Sequence, residues 1–204
     1  MQTDETPLSS NDFERIGQLH VESIDDSLPA LLGSTYAAGL YRFLATSEHE
    51  LLFVELTQER VESCCVVSLD PDSLQARIAR ATWFALGRYS LVALRRRAFR
   101  QYLLGTMRDA LRSETRTARA PEITYIFTDR SGRGRGLGGI LIDRVDTYLR
   151  NAGFSSYFVK TLDVPSNRAI GFYERHGFVP IGHCQEADRT FVKFEKSLDR
   201  PAEA

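Results

Sequence analysis

Apolar and polar positions recur along the chain in two periods, and the changes of period predict the elements. Phe13, Ile16, Leu19, His20 and Ile24 follow one another at helical spacing, the pattern of a helix buried along one face. Asn11 precedes this run with Glu14 three residues on, which places the helix cap at Asn11. The pattern breaks at Asp25-Asp-Ser-Leu-Pro29 and Leu31-Leu-Gly-Ser34. It resumes as a helix from Thr35 to Thr46 carrying Tyr36, Leu40, Tyr41, Phe43 and Leu44. Leu51–Thr57 and Arg60–Leu69 are apolar runs joined by Gln58-Glu59, and they read as an antiparallel hairpin. Residues 1–9 are polar, a short first strand or a frayed end.

Past residue 120 strands alternate with helices. Ile123, Tyr125 and Phe127 alternate with Thr124, Ile126 and Thr128, a strand. Five glycines then fall between Gly132 and Gly139. Helical spacing returns at Leu137, Ile140, Leu141, Val145, Tyr148 and Leu149, and Asn151-Ala-Gly153 stops it. Tyr157–Leu162 reads as a strand and Asn167–His176 as a helix ended by Gly177. Phe178–Cys184 and Thr190–Leu198 close the chain as a hairpin across Glu186-Ala-Asp-Arg189. Such an order predicts an α/β fold, a mixed sheet flanked by helices.

The stretch from Ile123 to Ile142 carries the chemistry. A strand, a glycine loop and a helix N-terminus make an anion site, because glycine admits close backbone approach and the first helical turn offers unpaired N–H donors. A Walker loop needs Gly-Lys-Ser/Thr at its end, and no lysine stands here. Gly134-x-Gly136-x-x-Gly139 fits the dinucleotide fingerprint literally, with Asp163 about 20 residues on. That motif opens a long doubly wound sheet, however, and too little chain follows it here.

A third phosphate-binding family fits better. Arg133-Gly-Arg-Gly136-Leu-Gly138 is similar to the Gln/Arg-x-x-Gly-x-Gly/Ala signature of the GCN5-related N-acetyltransferase (GNAT) superfamily. Asn167-Arg-Ala-Ile-Gly-Phe-Tyr173-Glu-Arg-His-Gly177-Phe178 resembles that family's Asn-x-x-Ala-x-x-x-Tyr-x-x-x-Gly-Phe segment. The two occur in the family's order and at its usual separation. The resemblance is close over residues 121–198 and general before them. It implies a mostly antiparallel GNAT-type sheet in a single domain over residues 1–204. Residues 71–119 form a helical insertion in it, and 121–198 a cofactor-binding core.

The resemblance also implies an activity, acetyl transfer from acetyl-CoA to a primary amine, and roles for particular residues. Arg133, Gly134, Arg135, Gly136, Leu137 and Gly138 would hold the pyrophosphate, chiefly through the backbone. The arginine side chains either add charge or face solvent. The edge of Ile126, Phe127 and Thr128 would pair with the pantetheine arm. Asn167 would bond the pantetheine or only cap its helix. Tyr173 occupies the position of the acid that reprotonates the leaving thiolate, and a phenol suits an aliphatic thiol because their pKa values lie close. Glu122, eleven residues before Arg133, stands where the histone-acetyltransferase branch carries its base, or is a strand-end charge. His176 and His183 are reserve bases, while His20 belongs to a packed helix face.

Composition narrows the setting. The chain has 204 residues, 43% apolar and 26% charged, with a net charge of −1, an ordinary globular balance that gives no global reason to expect nucleic acid. Three cysteines, two of them Cys64 and Cys65, cannot build a disulfide framework or a four-ligand zinc site, and no metal constellation is present. The first residues, Met-Gln-Thr-Asp-Glu-Thr-Pro, have no export signal, so the expectation is cytoplasmic.

One segment departs from the balance. Between Arg77 and Arg119 eleven arginines face only Asp109 and Glu114. That local excess suits a solvated face, an anionic acceptor or an anionic membrane surface. The N-terminal half loosely resembles acetyltransferases of surface-polysaccharide pathways, which act on diphosphate-linked amino sugars. Proteins, polyamines and a non-catalytic acyl-CoA-binding module are the rival readings. A homodimer stays open.

Overall fold

The computed structural model describes residues 7–24, 27–81, 120–186 and 189–198. Helix α1 (Ser10–Ser23) leads into a short α2 (Leu28–Leu32) and α3 (Ser34–Thr46). Strands β1 (Glu50–Thr57) and β2 (Arg60–Ser68) form the expected hairpin. Gln58 and Glu59 turn it at φ 49° and 62°, left-handed like the primed two-residue turns that match strand twist. Residues 71–81 are helical, and the rest of the expected insertion, 82–119, lies outside the described residues. Then come β3 (Glu122–Thr128), a 3₁₀ turn (Arg130–Gly132), α4 (Leu137–Asn151), β4 (Ser156–Leu162), α5 (Arg168–Arg175), β5 (Val179–Glu186) and β6 (Arg189–Ser197).

Six strands make one sheet in the order β1-β2-β3-β4-β6-β5. Every pairing is antiparallel except β3 with β4. The mixed, mostly antiparallel sheet is thus the expected one. Side chains alternate across a strand, so Cys64 and Cys65 serve two cores. Cys64 packs with Ile16, Leu40, Tyr41 and Phe127 under α1 and α3. Cys65 packs with Leu141, Val145, Tyr157 and Tyr173 under α4 and α5.

Two starts differ from the sequence reading. Ser9, not Asn11, caps α1. It accepts from the Asp12 N–H, and the Asp12 carboxylate accepts from the Ser9 N–H at 2.8 Å, a complete capping box two residues earlier. The expected break contains α2, because Ser27 caps it and Pro29 sits in its first turn, where no N–H is needed.

Helix α4 is pinned to both sides of the sheet. Arg144 donates to the Val54 carbonyl at 2.8 Å and to Glu55 at 2.7 Å, tying it to β1. Asp146 accepts from the Tyr157 hydroxyl and from Lys196, each at 2.7 Å, tying it to β4 and β6. Charge-assisted bonds of this kind contribute about 1.5–3 kcal/mol each.

Candidate functional site

The sheet opens at its centre. β3 and β4 pair only at Glu122↔Phe158 and Ile123↔Val159. Beyond Ile123 the two strands part, and β3 keeps a register with β2 alone, as far as Ser63↔Thr128. Thr124 is an extra residue in that register, a bulge of the kind that bends a strand. The result is a wedge with the edge of Ile126, Phe127 and Thr128 on one side and the end of β4 on the other.

The glycine loop lies at the end of this wedge. Asp129 begins it, accepting from the Ser131 N–H at 3.2 Å and donating its own N–H to Glu62 at 2.7 Å. Arg15 of α1 bonds the Asp129 carboxylate, and Arg60 stands 3.8 Å away. With the Ser131 bond, these arginines offset the cost of Asp129's burial and hold its carboxyl below the usual range. Arg135 donates to Glu62 at 2.8 Å, so its guanidinium is engaged within the protein. Arg133 is exposed.

Gly136 closes the loop as the residue before α4. Its φ of +83° is left-handed, and no side chain caps the helix. A Cβ built there meets none of the described residues within 4 Å. The first N–H groups of α4 have no partner within the helix, and the positive end of the helix dipole stands behind them. This cradle fits the pyrophosphate of a coenzyme. Gly138 answers a different need. A Cβ there would stand 3.1 Å from the Phe172 ring, so glycine lets α5 press against the first turn of α4.

Tyr173 lies on α5 within the core. Phe172, Phe178 and Phe194 surround it with ring centroids at 5.4, 5.4 and 5.9 Å. Burial pushes its phenol well above the ordinary value, with the nearby Cys65 a smaller cause. The hydroxyl therefore stays protonated through the neutral range, but burial carries it away from the aliphatic-thiol range that a free phenol lies close to. His176, one turn on, stacks near Phe172 at 4.6 Å, and burial and Lys196 lower its pKa. Asn167 stands two residues before Ala169, one fewer than the family segment asks. Its side chain accepts from the Ala169 N–H at 3.0 Å and donates to Thr161 at 2.8 Å and to the Leu162 carbonyl at 2.6 Å. It caps α5 and ties that helix to the end of β4.

Glu122 sits where the strands part. Its neighbour Ile123 enters the core under α4, so Glu122 points to the opposite face, as does Lys160 beside the buried Val159. Lys160 lies 3.1 Å from Glu122 and 2.7 Å from Glu186. Glu122 therefore lies on the face of the sheet opposite the core that holds Tyr173. His183 lies elsewhere, exposed on β5 at 3.3 Å from Asp163.

His20 is fully buried. The Ser27 hydroxyl donates to the Ile24 carbonyl at 2.9 Å, so it accepts from Nε2 of His20 at 2.7 Å, and Nδ1 accepts the Tyr41 hydroxyl at 2.7 Å. A neutral ring satisfies both bonds, and burial lowers its pKa to about 4. Four residues of the site escaped the sequence reading. Arg15, Glu62, Lys160 and Glu186 act through partners on distant segments, and no local pattern announces such pairs. Among the described residues no group of three metal-ligating side chains occurs, and no helix is long and apolar enough to cross a membrane.

Residues 102–178 match the family described as Acetyltransferase (GNAT) family. No curated protein sequence matches the chain. Three solved structures share the fold at low identity. An N-acetyltransferase from Staphylococcus aureus Mu50 is 14% identical, with a TM-score of 0.58 over 94% of this chain and 96% of that one. The ribosomal-protein-S18-alanine N-acetyltransferase of Escherichia coli is 11% identical, at 0.57 over 97% and 95%. An aminoglycoside 6'-N-acetyltransferase complexed with coenzyme A is 9% identical, at 0.59 over 100% and 98%.

Proposed function

We propose that the chain, whose residues 102–178 match the acetyltransferase (GNAT) family, moves an acetyl group from acetyl-CoA directly to a primary amine on an anionic acceptor, such as a diphosphate-linked amino sugar. The observation that carries this reading is the wedge between β3 and β4, which ends at the uncapped first turn of α4.

Acetyl-CoA supplies the thioester. The backbone from Arg133 through Gly134, Arg135, Gly136 and Leu137 to Gly138 holds its pyrophosphate, and the Ile126–Thr128 edge aligns its arm as a neighbouring strand would. Tyr173 gives a proton to the departing sulfur, and Glu122 takes one from the amine. Asn167 orients α5, and with it Tyr173. The whole chain forms one cytoplasmic catalytic domain, with 71–119 as an insertion whose arginines favour a phosphate-bearing acceptor.

The test is thiol release from acetyl-CoA with a panel of amines that includes nucleotide amino sugars, polyamines and peptide N-termini. Turnover greatest with the nucleotide sugars, and an acceptor KM that rises with salt, support the assignment. Acetyl-CoA binding without turnover on any amine overturns it in favour of a non-catalytic acyl-CoA-binding module. Turnover confined to peptides or polyamines overturns the acceptor class alone.

A further inference from the structure

We infer that the acceptor amine enters the wedge already neutral, so that weakly basic amines are favoured, and that Lys160 imposes this preference. The inference rests on the acetyl-transfer reading and deepens it.

Lys160 directly follows Val159, the last β4 residue in register with β3. Its Nζ lies between Glu122 of β3 at 3.1 Å and Glu186 of β5 at 2.7 Å. One ammonium thus joins three strands at the point where the sheet divides. Burial pulls Lys160 down, but Glu122 and Glu186 outweigh it and raise its pKa above the usual lysine value, so it remains a cation. Three other groups belong to this neighbourhood, and one is Glu195 of β6, paired in register with Phe158 on the face that carries Lys193. Lys193 is paired with Lys160 across β4 and β6 and sits 4.3 Å over the Phe158 ring. Cys184 of β5 stays a thiol, raised by burial and by Glu186.

A substrate ammonium approaching Glu122 therefore competes with Lys160 for that carboxylate, and Glu186 offsets only part of the repulsion between the two cations. Like charges a few ångströms apart in a partly desolvated site repel strongly. A neutral amine avoids that repulsion and brings a free lone pair. Its nitrogen forms the C–N bond to the thioester carbon while the C–S bond breaks. The proton lost by nitrogen goes to Glu122, and sulfur takes one from Tyr173, which regains it from water. At pH 7 an alkylamine with the basicity of a lysine is neutral in only about one part in 10³, an α-amine in about one part in 10. Amines beside oxygen-bearing carbons, as in amino sugars, fall with the second group.

The experiment measures kcat/KM against pH for the full chain with two anionic probes, glucosamine 6-phosphate and 5-aminopentyl phosphate. The expected acidic limb follows each probe's own amine and lies about 2 pH units higher for the aminopentyl compound. Lys160→Met and Lys160→Gln should each raise the relative rate on 5-aminopentyl phosphate at pH 7 by about 10-fold, and Lys160→Arg should restore the wild-type ratio. Turnover with one limb shared by both probes overturns the inference and leaves the transfer reading intact. No thiol release at any pH with either probe overturns both. If the Lys160 variants fail to fold, the wild-type profiles still decide.

Discussion

Gly17 on α1 and Ala38 on α3 meet backbone to backbone. A Cβ at position 17 would stand 2.7 Å from the Ala38 nitrogen and 2.5 Å from the Ser34 carbonyl oxygen. Neither obstacle can swing aside as a side chain would. Gly17→Ala must therefore part the helices over Ile16, Leu19 and Tyr41. The strain costs about 3 kcal/mol and exceeds the roughly 1 kcal/mol that alanine gains in a helix. Urea unfolding should show a lower midpoint with an unchanged slope; a midpoint equal to wild type or above it refutes the contact.

Acid should destabilise the protein through His20. Burial holds its folded pKa at about 4, below the usual histidine value of 6.5. Its contribution is thus fully present above pH 6.5 and is lost as the pH falls towards 4, because the unfolded chain binds the proton first. The amount at stake is about 3 kcal/mol. Unfolding free energies at pH 7 and pH 4.5 should differ accordingly in wild type, and the difference should shrink in His20→Gln. An equal pH dependence in both would place the titrating group elsewhere.

Gly136→Asp tests the cradle. An aspartate at φ +83° carries about 1–2 kcal/mol of backbone strain, so the melt should fall modestly. Its carboxylate would also stand where a pyrophosphate must lie. Calorimetry should show acetyl-CoA affinity reduced at least 10-fold; an affinity equal to wild type would remove Gly136 from the binding site.

Tyr173→Phe keeps the ring among Phe172, Phe178 and Phe194 and removes the hydroxyl. The expected result is a kcat lower by about 10²-fold with KM nearly unchanged. Because burial raises the phenol, any basic limb seen below pH 10 in wild type should persist in the variant. A kcat within twofold of wild type reduces Tyr173 to packing. Glu122→Gln should lower kcat as well, and full activity in that variant removes Glu122 as the base.

The sheet was legible because its signals are local. Apolar, β-forming runs marked β1, β2 and β4, and alternation marked β3, each within a residue or two, and the glycine loop announced the turn into α4. The mistaken cap at Asn11 arose because Asn11-x-x-Glu14 and Ser9-x-x-Asp12 are overlapping versions of one signal, and the Ser9 register is the one that completes both bonds. Helix α2 was hidden because five residues are too few for a period. At the candidate site, Glu122, Tyr173 and the loop were expected from the family resemblance, but what surrounds them could not be read from the sequence. Lys160 reads as an ordinary strand lysine until β3 and β5 bring carboxylates to it, and Arg135, expected either to add charge or to face solvent, meets Glu62 once β2 is in place.

Two register pairs are a slender joint between β1-β2-β3 and β4-β6-β5, and α4 acts as the strut across it, bolted to one half by Arg144 and to the other by Asp146. A ligand lying along the free edge of β3 adds a second strut. Occupancy of the wedge should therefore make the two halves unfold as one unit. Amide exchange at Ile123 and Val159 would slow by about the factor 1 + [L]/Kd, whereas exchange at the outer strand β5 would hardly change.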